Sequence, residues 1–472
     1  MSAAVHLARV QFALTIGYHF IFVPISIGLG LIMVLAARRY RRNGLDADRA
    51  AVDLWTRLFA ATFAAGVATG LTMEFAFGTN WSGYSRFVGN IFGAPLAAEG
   101  LLSFFVESSF LGIILFGKNR ISSRAYYIST WVVFVAALFS AFWILVANSW
   151  MHTPAGFAVE NGRAVLTNIW AAIFTKSLAP RFVHTVNATF MTGAFLSAGV
   201  AAHYLLKKRH VDFAKRALAT ALIVGTITSV AQPFLGHWQS LQIAADQPMK
   251  MAAMEGIYKT GSHQPLSIYG WVDTTGGHPV SIQVPDGLSL MLGLNPNHVV
   301  KGLDSVPPAD RPNTQVVFQT WHLMIAVGSL LPLIAVIGLW LWWRRRLHYS
   351  LPYLKTLRLA MPLPIIACIL GWMTTEVGRQ PWIVQGQLRT AAAVSSTVST
   401  GEVATTLAIL AVIYTGVFVA WLHVVRGIVR KGPAAAPGGE PAPDSVLEPA
   451  AALEGSEALE AQTGPAGEGR RL

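Results

Sequence analysis

Nine stretches of the chain are apolar and long enough to cross a membrane: residues 11–37, 54–77, 95–116, 125–148, 182–206, 217–236, 318–343, 358–377 and 404–428. The first is too long for a signal-peptide core, lacks a cleavage site and runs into Arg38, Arg39, Arg41 and Arg42, so it reads as a retained helix. The expected fold class is therefore all-α and polytopic, with nine transmembrane helices. Residues 1–236 hold helices 1–6, 237–317 form one long loop, and 318–431 hold helices 7–9. Residues 432–472, rich in Ala, Pro, Gly and Glu, are expected to be a disordered tail.

The long loop has its own punctuation. Gln-Pro-Met-Lys-Met-Ala-Ala-Met-Glu-Gly (247–256) predicts a short helix ended by Gly256. IYGWVDTTGGHPVSIQV (268–284) alternates about a Gly-containing turn and predicts a hairpin. A loop of this length is either functional or disordered.

Composition agrees with the pattern. The chain is 53% hydrophobic and 12% charged, with a mean hydropathy of +0.49, against about 25% charged residues in soluble domains. A net charge of +12 and a pI near 9.9 could point to nucleic acid. The distribution says otherwise: alternate loops carry 21 Lys and Arg, the opposite ones 11. The positive-inside rule then places the N-terminus in the periplasm and the C-terminus in the cytoplasm, as an odd number of spans requires, with no nucleic-acid partner. The single cysteine, Cys368, excludes an intrachain disulfide, a cysteine-ligated iron–sulfur cluster and a thioether-linked haem.

The polar residues inside the apolar stretches gather at one depth. At about 1.5 Å per helical residue, His19, Glu74, Glu99, His184, Met324 and Glu376 fall in the outer half, beside the long loop. Glu99 follows Pro95 by four residues, which places it in the first turn of a helix, with Glu107 deeper. An intramembrane carboxylate is costly without a partner, and Glu376 in GWMTTEVGRQPW (371–382) has Arg379 three residues away. Each residue has a plainer reading. His19 can hydrogen-bond a neighbouring helix, Met324 can fill a core gap, and Ser140 and Asn148 can join helices. Two His, one Met and several Glu at one level suit haem iron, and imidazole with carboxylate also suits non-haem metals, so this step leaves the choice open.

Several ordered stretches nevertheless carry a family pattern: GYHFIFVPISIG (17–28), TMEFAFGTNWSGYSRFVGNIFGAPLAAEGLLSFFVESSF (72–110), NSWM (148–151), RFVHTV (181–186), the 247–256 segment and GWMTTEVGRQPW. Over residues 5–430 the chain resembles subunit I of the cytochrome bd-type quinol oxidases. The resemblance implies a subunit that passes electrons from membrane quinol to O2, making water, with three non-covalent haems. These are a low-spin haem b, a high-spin haem b and a haem d, or a third haem b in its place. His184 and Met324 match the axial ligands of the low-spin haem. His19, Glu99 and Glu376 match residues around the other two, with Trp372 and Arg379 lining the haem region. Lys250 and Glu255 match a quinol-site pair, although five residues apart they do not share a helix face. Glu107, with Ser140 and Asn148, matches a proton route from the cytoplasm to the oxygen site. Protons taken up inside and released from quinol outside would generate a proton motive force without a pump.

The implied partners are subunit II, a small single-helix subunit, ubiquinol or menaquinol, O2 and lipid of the bacterial cytoplasmic (inner) membrane. The loop has the short length of the cyanide-insensitive type. His322 stands where many long-loop members have Arg, and His237 where others have an acid. Two other readings compete. An ion-coupled secondary transporter would use Glu74, Glu99, Glu107 and Glu376 as ion-binding carboxylates, but has no need of His184 and Met324. A haem anchor that only transfers electrons has no use for buried proton donors.

Overall fold

The computed structural model describes residues 3–117, 120–273 and 278–433, except for the side chains at 94, 98, 99, 101–103, 273 and 278. Long helices dominate, because in hydrocarbon a backbone N–H or C=O finds its partner only inside its own helix. In chain order they are α1 (Ala3–Asn43), α2 (Asp46–Thr79), α3 (Ser82–Phe116) and α4 (Ser123–His152). After a small hairpin, β1 (Phe157–Glu160) with β2 (Arg163–Leu166), and the short α5 (Ile169–Ile173), come α6 (Leu178–Leu206) and α7 (Val211–Asp246). The loop region then holds α8 (Pro248–Glu255), the antiparallel hairpin β3 (Leu266–Asp273) with β4 (His278–Val284), and α9 (Gly287–Gly293). The chain continues through α10 (Thr314–Trp343), α11 (Leu351–Ala360) and α12 (Leu363–Val377). A last hairpin of β5 (Trp382–Val384) and β6 (Leu388–Arg389), then α13 (Thr390–Ala393), leads into α14 (Thr400–Lys431).

Among the described residues eight segments are long and apolar enough to cross a membrane. The expected third span, 95–116, lies on α3, whose apolar part among those residues is Phe104–Phe116. Three expected boundaries are corrected. Pro95 does not open a helix: α3 begins at Ser82, so Glu99 lies about 25 Å along it rather than in a first turn. Proline is tolerated inside membrane helices because neighbouring groups satisfy the freed carbonyl. Stretch 358–377 is two helices, α11 and α12, parted at Met361 and Pro362. And α7 continues to Asp246, ten residues beyond its apolar stretch, so the loop begins as helix. The expected short helix is α8, closed by Gly256 in the left-handed region at φ 71°. The expected hairpin is β3–β4, whose turn at 274–277 lies outside the described residues, as does the tail from 434.

The apolar core falls into three clusters. The largest joins α1, α2, α6, α7 and α10 around Leu29, Phe59 and Leu218. A second surrounds Trp150 and Phe92, where α3 and α4 meet β5. The third, around Met251, Met254 and Leu288, seats the loop on α7 and α10. Helices α1 and α6 touch backbone to backbone: a Cβ on Gly193 would lie 2.2 Å from the carbonyl carbon of Gly28. Small residues permit such an approach in a membrane bundle. Gly193→Leu is therefore expected to part α1 from α6 and abolish recovery of the folded subunit. Surface Gly416→Leu, with open space at its Cβ, should leave yield unchanged by size-exclusion chromatography.

Candidate functional site

Between the second and third clusters lies a buried polar layer centred on Glu376. The carboxylate sits in the last turn of α12, which Gly378 closes. Its Oε1 accepts a hydrogen bond from Asn148 Nδ2 at 2.8 Å, and its Oε2 pairs with Arg379. Helix α4 places His152 one turn beyond Asn148 on the same face, and His152 Nε2 lies 3.6 Å from Glu376 Oε1. Asn148 Oδ1 in turn accepts from Arg181 Nη1 of α6 at 2.9 Å. Three membrane helices thus converge on one carboxylate.

The layer extends into the loop. Lys250 of α8 lies 3.0 Å from His152 Nδ1 and donates to Gln247 Oε1 at 2.8 Å. His152 thus stands between the lysine on its Nδ1 side and Glu376 on its Nε2 side. The Lys250 stem reaches this point by crossing Gly378, where a Cβ would come within 2.8 Å of its Cγ. The glycine that ends α12 therefore also opens the passage for the lysine. Burial pushes the Lys250 amine well below its ordinary pKa, Arg181 and Arg379 push it further, and Glu376 opposes them.

Charge in this layer is unbalanced. Two guanidiniums and a lysine face one carboxylate. Arg181 Nε and Nη2 and Arg379 Nε and Nη1 are buried with no partner among the described residues. A buried donor left unpaired costs about 1–3 kcal/mol, so four on two cations make a receptor for anionic oxygens.

Glu255 belongs elsewhere. It is fully buried, accepting from Trp321 Nε1 at 2.8 Å and from the Ser267 N–H at 3.3 Å. Nearby, His322 has Nδ1 2.8 Å from Phe318 O and Nε2 2.9 Å from Ser267 O. Burial raises the Glu255 carboxyl, while His322, Trp321 and Ser267 hold it down. Lys250 and Glu255 thus end in two separate networks at opposite ends of α8.

His19, His184 and Met324 each sit on a different helix. His19 Nδ1 is 3.0 Å from Thr69 Oγ1, and its ring lies over Gly70. Gln232 lies within 3.4 Å of both His184 nitrogens, and Gly236 leaves room beside that ring. Met324 points its sulfur at Gly371, and the next residue, Trp372, packs on Phe20 with ring centroids 5.8 Å apart. Glu107 is buried on α3, and Ser140 lies half-buried on α4 two turns before Asn148. The Glu99 side chain lies outside the described residues, as do any contacts it makes. No group of three or more His, Cys, Asp or Glu among the described residues could hold a bare metal ion.

Sequence reading missed His152 and Gln247, the two links between Lys250 and the membrane site. His152 carried one usable signal, its position one turn after Asn148 in NSWMH. Gln247 carried none.

Residues 7–433 match the family described as cytochrome bd terminal oxidase subunit I. The chain belongs to that family. It is 38% identical over 426 residues to a cytochrome bd ubiquinol oxidase subunit 1 of Bacillus subtilis (strain 168), covering 86% of this chain and 90% of that one. It is 33% identical to a cytochrome bd-II ubiquinol oxidase subunit 1 of Escherichia coli (strain K12), over 91% and 97% of the two chains. Its fold is similar to that of the bd oxidase from Geobacillus thermodenitrificans, with a TM-score of 0.85 and 29% identity, covering 91% of this chain and 99% of that one. This cytochrome bd subunit I is therefore part of a terminal respiratory oxidase of the bacterial inner membrane, a quinol:oxygen oxidoreductase. The secondary-transporter reading is set aside.

Proposed function

We propose that the Glu376 layer is the wall where the haem region and the quinol region of this subunit meet. One observation carries the reading: a continuous chain of contacts from Gln247 and Lys250 through His152 to Glu376, flanked by four unpartnered guanidinium nitrogens. Haem propionates fit those nitrogens in charge and in donor count. Donors on different helices, such as His19, His184 and Met324, suit a macrocycle that supplies the other four ligands itself.

Within this reading His184 and Met324 would hold the low-spin haem b. His19, Glu99 and Glu376 would serve a high-spin haem b and a haem d or third haem b, and Trp372 would line that region. When bound, the haems carry single electrons from quinol to O2. Arg379 and Arg181 would hold propionates, while Asn148 and His152 fix the Glu376 carboxylate. Lys250 and Glu255 each face one end of the quinol site. Glu255, its carboxyl raised by burial and partly offset by His322, Trp321 and Ser267, accepts a quinol hydroxyl proton and passes it outward. Glu107, Ser140 and Asn148 bring protons from the cytoplasmic side. Nine spans, with the N-terminus outside, place these two proton paths on opposite sides. Subunit II covers the apolar faces of α2, α3 and α14, which expose Phe75, Phe105, Phe116 and Val412.

A reduced-minus-oxidised spectrum of the purified complex, with quinol-driven oxygen uptake, tests the reading. Haem bands and uptake are expected together, and their absence overturns it. Glu255 gives a sharper pH test. Its raised pKa means that lowering the pH protonates it sooner than an ordinary glutamate, so uptake should fall on the acid side. Trp321→Phe removes a hydrogen bond that favours the charged form, so that limb should move to higher pH. Glu255→Gln should lower turnover about ten-fold or more, within the range for a lost proton-transfer group. It should also flatten the limb and leave the haem spectrum intact. A limb that ignores both variants removes Glu255 from proton transfer.

A further inference from the structure

The β3–β4 hairpin of the loop has one covered and one open face. One face is covered: Val272 and Ser267 are buried against α8 and α10. On the other, Tyr269 pairs across the strands with Ile282, and Trp271 with Val280. These four are 52%, 68%, 64% and 65% exposed. An antiparallel sheet with one face on water carries polar residues there, so a contiguous aromatic and aliphatic face marks a surface that something covers.

The depth of the hairpin says what. Val272 N–H donates to Gln315 Oε1 at 2.9 Å, Gln319 Nε2 donates to Gly270 O at 2.8 Å, and His322 Nε2 lies 2.9 Å from Ser267 O. Gln315, Gln319 and His322 form one stripe of α10, so β3 runs along that helix from residue 315 to residue 322, a rise of about 10 Å. At its far end α10 exposes Trp340, Trp342 and Trp343 beside Arg344, Arg345 and Arg346, the aromatic and cationic pattern of a membrane–water interface. Counting back about 20 residues, the thickness of a hydrocarbon layer, puts the opposite boundary near residue 320. The hairpin therefore sits at that boundary. The same stripe of α10 continues past His322 as exposed Leu330, Leu333 and Ile337.

We propose that the Tyr269–Trp271–Val280–Ile282 face rests in the interfacial layer of the lipid bilayer, as a foot that seats the loop on the membrane. Tyr and Trp at headgroup depth, with aliphatic residues beside them, are what such a layer selects. The foot is tied to the Glu255 network through Ser267, whose N–H and hydroxyl both bond Glu255. The proposal rests on the membrane-spanning reading of α10 and not on the quinol assignment.

The test uses the whole oxidase complex reconstituted in phosphatidylcholine–phosphatidylglycerol vesicles. Ile282→Cys, in a Cys368→Ala background, is labelled with a nitroxide, with Val280→Cys as a second reporter and exposed Lys301→Cys as the aqueous reference. Collision rates with oxygen, which concentrates in lipid, and with a water-soluble nickel chelate give the depth. A several-fold higher oxygen-to-chelate ratio at 282 and 280 than at 301 is expected. A ratio equal to that at 301 places the face in water and overturns the proposal. Shielding from both reagents shows a protein partner on the face and overturns it equally. Neither outcome depends on quinol turnover, so the fate of the quinol-site reading is decided separately.

Discussion

Exchanging Arg379 for leucine is expected to reduce quinol-driven oxygen uptake at least about 100-fold. The guanidinium is buried and is the charged partner of half-buried Glu376. Breaking a largely buried pair costs about 3–5 kcal/mol, and each 1.4 kcal/mol is a factor of ten. The same change also deletes two of the four unpartnered donors proposed for propionates. Arg379→Lys keeps the charge but loses the planar fork, so an intermediate loss is expected. Glu376→Gln with Arg379→Leu separates stability from chemistry. With both charges gone the thermal midpoint should recover toward wild type while uptake stays low. An Arg379→Leu enzyme within two-fold of wild type would remove this residue from the site.

The second large effect is expected at the low-spin haem. His184→Ala or Met324→Leu should abolish the low-spin b signal in the redox difference spectrum and quinol oxidation with it. Gly371→Val asks the same question without touching a ligand. Even a Cβ at 371 would stand 2.8 Å from the Met324 sulfur, and valine's two methyl groups would displace it. The variant should therefore mimic Met324→Leu. Surviving quinol-dependent uptake in all three variants would mean that His184 and Met324 are not the ligands.

Much of this was legible along the chain because hydrocarbon imposes local rules. Backbone groups that cannot reach water must pair within a helix, so apolar length alone marked the helices that became α1, α2, α4, α6, α7, α10 and α14. Gly256 ended α8 where its left-handed backbone was needed, and the alternation at 268–284 marked β3–β4. Boundaries were less legible. Nothing local distinguishes a proline inside α3 from one that opens it, or shows that α7 continues as a polar helix to Asp246.

The chemistry divides the same way. Sequence by itself determined that Glu376, Arg379, Lys250 and Glu255 are present in a membrane chain, where a charge without a partner is costly. It left the partners open. Arg379 could pair with Glu376 or hold a propionate, and the structure gives it one nitrogen for the carboxylate and leaves two for an anion. Lys250 and Glu255, paired only by the family resemblance, sit on one helix, α8, yet reach different neighbours, His152 of α4 and Trp321 of α10. His152, 98 residues before Lys250, became the bridge between the loop and the membrane wall. Such contacts depend on how α4, α6, α8 and α12 cross, and crossing is set by long-range packing that no local pattern encodes.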